Sequence, residues 1–330
     1  MRRIIFSIAL LGLFVSSTFA HISLIKGIHS KNHKRQKFSL EKVNGNVYVL
    51  YGAGGNIGVS YGSDGMMTID TQFAKFVPQI KAQLKTLGTD KPKFIFNTHF
   101  HGDHTGGNAL FGQDGTIIAH YKVRERLLST IGRDGKPRTP TPNIALPMFT
   151  FRNSLSVHFN GEEVKAVHFS HGHTDGDTVI FFTGSNVVHL GDDFFVGRFP
   201  FVDLDSGGSV GGLVRNIKKL IYMIPSDAKI IPGHGKVANV HDLMDYYSML
   251  VETTTIVRKQ MMEGKTLEQI KAAGFPAKYD AAGSGFIKTG RWIETIHKDF
   301  SKSRSMKMRR KMHGKKMHKM KKKMMEKKKP

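Results

Sequence analysis

The chain predicts an α/β protein built as an αββα sandwich, and three observations predict it. Two successive halves each run from short strand-like segments into amphipathic helices. Clusters rich in His and Asp stand where apolar strand-like runs stop, which collects polar chemistry along one edge of the sheets. With 330 residues, 39% of them hydrophobic, the chain can also bury a substantial core.

The elements follow in order. From Phe38, the runs F-S-L-E-K-V, N-V-Y-V-L-Y, N-I-G-V-S-Y and M-M-T-I-D are β-like, and Gly-containing turns between them predict an antiparallel start. The segment G-A-G-G-N-I-G at 52–58 fails as a phosphate loop, because no Lys-Ser/Thr follows and a strand comes next. It reads as a flexible turn near a site mouth. Residues 75–88 space their apolar side chains as an amphipathic helix. A strand over 93–98 leads into the first His cluster. T-I-I-A-H at 116–120 is a strand, and Y-K-V-R-E-R-L-L starts a helix. Residues 131–147 hold four prolines and read as a long loop, a candidate substrate flap.

Alternating segments return between Phe149 and Phe182. V-I-F-F-T-G-S-N-V-V-H-L is a hairpin with a Gly-Ser-Asn turn. A loop is expected over 194–212 and a helix over 213–224. A-K-I-I-P-G-H is the last strand, followed by a long helix to 263 and helices near 266–273 and 291–300. Trp292 reads as packing.

Residues 98–107, T-H-F-H-G-D-H-T-G-G, carry most of the chemistry. His99, His101, Asp103 and His104 crowd into six positions, directly after Phe94-Ile95-Phe96. One mononuclear site cannot easily use all four groups. Two adjacent divalent metals can, and such a pair makes a hydroxide nucleophile at neutral pH. Three further clusters stand at strand ends: H-G-H-T-D-G-D at 171–177, V-V-H-L-G-D-D at 187–193 and I-I-P-G-H-G at 230–235.

These four ordered motifs, H-x-H-x-D-H, G-H-T, G-D and G-H, resemble those of the metallo-β-lactamase-fold hydrolases over residues 38–250. The resemblance implies that His99, His101 and His173 hold a first metal and that Asp103, His104 and His234 hold a second. It implies that Asp192 bridges the two and that Asp70 orients the metal loop from behind. His171 and Asp193 are neighbouring competitors, and the G-H-T and G-D frames select His173 and Asp192. Two zinc ions are the implied cofactor, with iron or manganese as alternatives. The implied chemistry is attack by a bridging hydroxide, with Asp103 as the catalytic residue that orients the nucleophile or takes its proton.

The implied function is an exported hydrolase of a small-molecule ester, lactone, thioester or amide, similar to glyoxalase II and lactonases. Alternatives are β-lactamase-like activity, a mononuclear iron sulfur dioxygenase, and a non-catalytic metal- or surface-binding protein. There are no cysteines, which excludes disulfides and the lactamase subclass that uses a Cys ligand. His120, His158, His168, His189 and His241 lie outside any motif frame and read as structural or exposed. A supporting role stays open for His168 and His189, which lie near ligand loops.

The ends read differently from this catalytic domain, which spans 38–300. Residues 1–20 combine a positive start, an apolar run and small residues at the end, the pattern of a secretory signal peptide cleaved after Ala20. A retained membrane anchor is the alternative. Export would place the protein in a periplasm or outside the cell. Residues 21–37 are a basic lead-in. The formal charge is +24, and residues 301–330 contribute +14 of it with fifteen Lys or Arg against one Glu. That low-complexity tail is expected to be disordered. It reads as a solvated extension, as a binder of anionic membrane or polysaccharide, or as a copper-capturing segment through seven Met and two His. Export argues against nucleic acid as its native partner.

Overall fold

A computed structural model of the protein describes residues 37–132 and 135–303. Residues 1–20, read above as a signal peptide, nearly all of the basic lead-in and tail residues 304–330 lie outside the described residues.

Two sheets form the centre. The first holds seven strands in chain order: β1 (Ser39–Asn44), β2 (Val47–Tyr51), β3 (Ile57–Gly62), β4 (Gly65–Ile69), β5 (Phe94–Asn97), β6 (Thr116–His120) and β7 (Phe149–Phe151). Strands β1 to β4 pair antiparallel, as the short glycine turns between them require. From β4 to β7 the pairing is parallel, because longer crossovers intervene. The second sheet holds β8 (Ser154–Phe159), β9 (Glu162–His168), β10 (Thr178–Phe182), β11 (Val187–Phe195) and β12 (Lys229–His234), in the order β12-β11-β10-β9-β8. Within it only β11 and β12 run parallel.

Neighbouring residues on these strands point to different cores. Met67, Ile69, Phe96, Ile118, Ile180 and Ile231 meet between the sheets. Their sequence neighbours Met66, Ile95 and Ile117 face the outer layer of the first sheet, where helix α1 (Val77–Leu84) supplies Val77, Ile80 and Leu84. Val179 and Ile230 face the outer layer of the second sheet. Strands buried on both faces explain the continuous apolar runs in the sequence. The result is the expected αββα layering.

Three short helices follow α1: α2 (Gly102–Thr105), α3 (Asn108–Phe111) and α4 (Tyr121–Leu128). The second outer layer is α5 (Val210–Met223), α6 (Val240–Met262), α7 (Leu267–Ala273), α8 (Asp280–Gly283) and a last helix over 289–303. Helix α5 starts three residues earlier than its periodicity suggests, because the Ser209 side chain caps it by accepting from Gly212 N. Asn239 with Asp242 and Thr266 with Gln269 form capping boxes at α6 and α7. Trp292 is fully buried and donates its indole N–H to Thr253 Oγ1 at 3.1 Å.

Three expectations need adjustment. Strand β11 continues to Phe195, so the loop before α5 spans 196–209 and not 194–212. The last helix runs through 303, past the expected tail boundary at 300. The glycine-rich segment 52–58 is closely packed. A Cβ on Gly55 would lie 2.1 Å from His104 Cε1, so this glycine permits close approach of the backbone to an imidazole. The long loop expected over 131–147 is present, and Arg138 pins it by donating to the carbonyls of Arg126, Leu127 and Ser129 at the end of α4.

His120 on β6 and His168 on β9 stack across the two sheets, with ring centroids 3.6 Å apart and planes inclined by 7°. Burial, reinforced by the adjacent His168 ring, pushes His120 down to about 4. Above pH 6.5 both the folded and the unfolded chain hold this ring neutral. As pH falls from about 6.5 to 4, the unfolded chain takes up the proton and the folded one resists, so stability is lost in that window. A shift of this size corresponds to up to about 3 kcal/mol. His120→Phe keeps the stack without the titrating group. Its stability relative to the native protein, measured by urea denaturation, is expected to rise steadily as pH drops from 7 to 4.5. A pH-independent difference would contradict this account.

Candidate metal centre

All the candidate ligands but Asp192 are delivered by strand ends and the turns after them. Strand β5 ends at Asn97 and leads to His99 and His101. Helix α2 begins at once and carries Asp103 and His104 on its single turn. His173 lies in the turn between β9 and β10, Asp192 within β11, and His234 at the end of β12.

The structure gathers them into two abutting clusters, one of His99, His101, His173 and Asp192 and one of Asp103, His104 and His234. In the first, His101 Nδ1 stands 3.1 Å from His99 Nε2 and 2.9 Å from His173 Nε2. Asp192 Oδ2 faces this group at 3.8 Å from His99 Nε2 and 3.5 Å from His173 Nε2. The other oxygen, Asp192 Oδ1, faces the second cluster at 3.1 Å from His104 Nε2 and 3.4 Å from His234 Nε2. Asp103 Oδ2 closes that cluster at 3.3 Å from His234 Nε2 and 3.7 Å from His104 Nε2. One carboxylate therefore addresses both groups.

The outward nitrogens decide what the inward ones can do. His173 Nδ1 donates to Phe201 O at 2.7 Å. His101 Nε2 meets Asp203 Oδ2 at 2.9 Å, and His104 Nδ1 meets Asp70 Oδ2 at 2.7 Å. Thr98 Oγ1 gives its proton to Asp70 Oδ2 at 2.7 Å, so it accepts from His99 Nδ1 at 3.1 Å. With its ring proton held outside, each ring that is neutral presents a lone pair on its inward nitrogen. Lone pairs facing one another at about 3 Å repel unless a cation lies among them. His104 Nε2 and Asp192 Oδ1 are buried and neither makes a well-directed hydrogen bond. The donor set of imidazole nitrogens and carboxylate oxygens suits zinc. The residues present fit metal ions.

Electrostatics agree with this division. Burial pushes His99 well below its ordinary value, and the nearby His104 adds to the effect. Burial also lowers His173 to about 4 against the pull of Asp192. Burial would raise Asp192, but His104, His234 and His173 outweigh it and hold the carboxyl well below its usual range. Burial opposes charge on His104 and His234, and the surrounding carboxylates win. His104 is raised well above 6.5, and His234 to about 9, chiefly by Asp192. A metal binding at these two rings displaces protons. Asp103 is held at about 2, where His104 and His234 overcome the effect of burial.

Asp70 sits at the end of β4 with φ +69° and accepts from Thr98 N at 2.8 Å as well as from the Thr98 hydroxyl and His104. His171 and Asp193, the competing positions, stand apart from the clusters. His171 is exposed, with Nδ1 at 2.8 Å from Gly207 O, while buried Asp193 accepts from His173 N at 3.2 Å. His189 bridges the two sheets: Nε2 reaches Asn56 O at 3.2 Å, and Nδ1 accepts from Gly191 N at 3.1 Å, just before Asp192. Asp203, Asn56 and Gln72 have no motif signal and were not foreseen, and Asp177, which closes the H-G-H-T-D-G-D cluster, was given no role. Asp203 is 102 residues from the His101 it contacts. Asn56 Nδ2 donates to the carbonyls of Pro232 and Gly235 at 2.9 and 2.8 Å, fixing the turn around His234. Gly233 completes that turn, and a Cβ there would stand 2.0 Å from Asp192 Oδ1.

The chain belongs to the metallo-beta-lactamase superfamily, whose family model matches residues 41–236. It is 28% identical over 148 residues to a hydroxyacylglutathione hydrolase of Nitrosococcus oceani, covering 44% of this chain and 49% of that protein. The match thus spans about half the length of this curated relative. Among solved structures, the fold is similar to the sec-alkylsulfatase Pisa1 from Pseudomonas sp., at TM-score 0.61 and 15% identity, over 78% of this chain and 49% of that one. It is also similar to the DIM-1 metallo-beta-lactamase, at TM-score 0.52 and 17% identity, over 66% of this chain and 98% of that one.

The hydrogen bonds at Asp70 generate a prediction. Asp70→Asn keeps the shape but removes the charge that holds the His104 proton outward. Metal affinity, measured by competition with a chromophoric chelator, is expected to fall about 10- to 100-fold with the fold retained. Unchanged affinity would remove Asp70 from any role at the centre.

Proposed function

We propose that the protein is an exported, dinuclear zinc hydrolase that cleaves an ester, lactone, thioester or amide. The observation that carries this reading is the divided carboxylate of Asp192, with one oxygen toward each cluster of ligand atoms. His99, His101 and His173 would hold one ion, Asp103, His104 and His234 the other, and Asp192 both. When bound, two such ions supply hydroxide at neutral pH and polarise the electrophile. Asp103, partly exposed beside the cavity and unprotonated at neutral pH, orients the nucleophile and relays its proton. In the net reaction, the nucleophilic oxygen bonds to the carbonyl carbon. The bond to the leaving oxygen, sulfur or nitrogen breaks, and its electron pair departs with that atom, which takes up a proton.

The names of the relatives set the substrate panel: a hydroxyacyl thioester, a secondary alkyl sulfate and a β-lactam, beside simple esters and lactones. Elemental analysis is expected to give about two zinc ions per chain. Asp103→Ala is expected to lower turnover of the best substrate ~10³-fold or more while circular dichroism stays unchanged. A near-normal rate in that variant would sink the mechanism, and a single iron per chain would favour a sulfur dioxygenase instead.

The Lys- and Met-rich tail is proposed to act apart from this chemistry, by adhering to an anionic membrane or polysaccharide. Its +14 charge supports that reading, and its Met and His leave copper capture as a second role. Deleting residues 304–330 is expected to leave turnover of a small uncharged substrate unchanged and to weaken sedimentation with phosphatidylserine vesicles. Salt is expected to weaken the full chain's vesicle binding likewise. Loss of activity with the metals still bound would show that the tail serves the site.

A further inference from the structure

The first sheet stops at β7, which pairs with β6 on one side and with no strand on the other among the described residues. The surface beside that edge is apolar. Of the eleven exposed large apolar side chains among the described residues, six lie between positions 110 and 149: Leu110, Leu128, Ile131, Ile144, Met148 and Phe149. Met148 is 73% exposed and Phe149 57%. Single exposed apolar residues are ordinary, but a concentration of them marks a contact surface.

Backbone anchors hold these residues in one neighbourhood. Arg138 ties the loop after α4 to the carbonyls of Arg126, Leu127 and Ser129. An isolated bridge pairs Ile131 with Pro137. Arg124 Nη1 donates to Pro147 O at 2.7 Å, and Met148 N donates to Ile117 O at 2.8 Å. A Cβ on Gly112 would lie 2.1 Å from Ile144 O, so the loop lies against the end of α3. The apolar side chains thus stand along the sheet edge between α3, α4 and β7, on backbone that is fixed.

Charge decides what covers them. Residues 121–153 hold seven Lys or Arg against Glu125 and Asp134. Lys136 and Arg152 are exposed. The Arg152 guanidinium lies 4.7 Å from the Tyr121 ring centroid, and Lys122 Nζ lies 5.1 Å from it. Apolar side chains bordered by Tyr, Lys and Arg have the composition of a surface that rests where lipid headgroups meet acyl chains. A second copy of the chain would bring like charges together across the same face. Strand addition has little to build on, because β7 is three residues long and Pro147 stands two residues before it.

We propose that this edge docks on an anionic lipid bilayer. Ile131, Met148 and Phe149 enter the acyl boundary, while Lys136 and Arg152 meet the anionic headgroups. The proposal stands apart from the hydrolase reading. It gives the folded body its own contact with lipid, separate from the tail.

The test uses the full chain carrying Phe149→Trp. Trp292 is the sole native tryptophan and is fully buried, so its emission is a constant background. With vesicles of phosphatidylglycerol and phosphatidylethanolamine, emission is expected to move to shorter wavelength and to be quenched by lipids brominated along the acyl chain. Tyr222→Trp, at an exposed position near the end of α5, is expected to show neither effect. In the otherwise native chain, the double substitution Met148→Ser with Phe149→Ser is expected to weaken vesicle partitioning at least about tenfold with the tail intact. Tyr222→Ser with Met223→Ser is expected to leave it unchanged, and circular dichroism checks that each variant is folded.

If the Phe149→Trp chain sediments with anionic vesicles while its emission stays unshifted and unquenched, the tail alone carries the contact and the proposal falls. An equal response to phosphatidylcholine vesicles would overturn the charge complementarity that selects an anionic bilayer. A shift that appears without vesicles and grows with protein concentration would assign the face to a second copy of the chain instead.

Discussion

One buried carboxylate organises the chain around its centre. Asp70 accepts from Thr98 N, Thr98 Oγ1 and His104 Nδ1, and its own N–H donates to Phe96 O at 2.7 Å. These bonds join the end of β4 to the end of β5 and set where the polypeptide turns into α2. The positive φ at Asp70 aims the side chain back under that turn, a conformation that costs energy in any residue but glycine. Fully buried, the carboxylate would be expensive without these donors. Their convergence offsets the burial, and it presents His104 to the second cluster through a fixed tautomer. The first cluster depends on the same group at one remove, because the Thr98 hydroxyl that donates to Asp70 accepts from His99.

A second buried acidic pair supports the opposite wall. Asp177 accepts from Thr174 N at 3.0 and 2.8 Å and from the Thr174 hydroxyl, and Asp193 accepts from His173 N. Burial raises both carboxyls, Asp177 to about 7 with Asp192 and Asp175 adding to the effect, and Asp193 well above its ordinary value with Asp177 adding. Two acids packed in this way favour keeping a proton over ionising together. They thus hold the His173 turn by hydrogen bonds without bringing two full negative charges behind the centre. The preference for His173 over His171 has a physical cause here. Backbone and hydroxyl donors at His173 and Thr174 are anchored inward, while His171 adopts φ +55° and turns to the surface.

Much of this was legible in the sequence because strand ends and ligands share a local signature. An apolar run that stops at His, Asp or Gly says both where a strand ends and where chemistry begins, so β5 and β12 could be placed together with His99 and His234, while β11 carries Asp192 and continues three residues beyond it. Paired apolar neighbours such as Ile95-Phe96 and Ile117-Ile118 marked strands, and the structure buries those strands on both faces. What stayed hidden was set by contacts between distant segments. Asp203 lies in a loop of mixed composition, and nothing near it marks its contact with His101. Asn56 gains its role only when β12 arrives some 176 residues later. The glycines at 52–58 looked like slack because a sequence shows the missing Cβ and not the imidazole that takes its place.

The charge arrangement explains why such a centre is inseparable from its cations. Four rings with their protons held outward, together with two carboxylates, face a common interior. Protons satisfy this interior poorly. Burial drives them off His99 and His173, while the carboxylates hold them on His104 and His234, so one half is under-protonated and the other is positively charged. Divalent ions bound there would resolve both halves at once, each neutralising carboxylate charge and filling the space between lone pairs. The polar interior, costly for the fold on its own, would thereby become a source of stability with metal bound, linking folding, metal content and pH through the same residues.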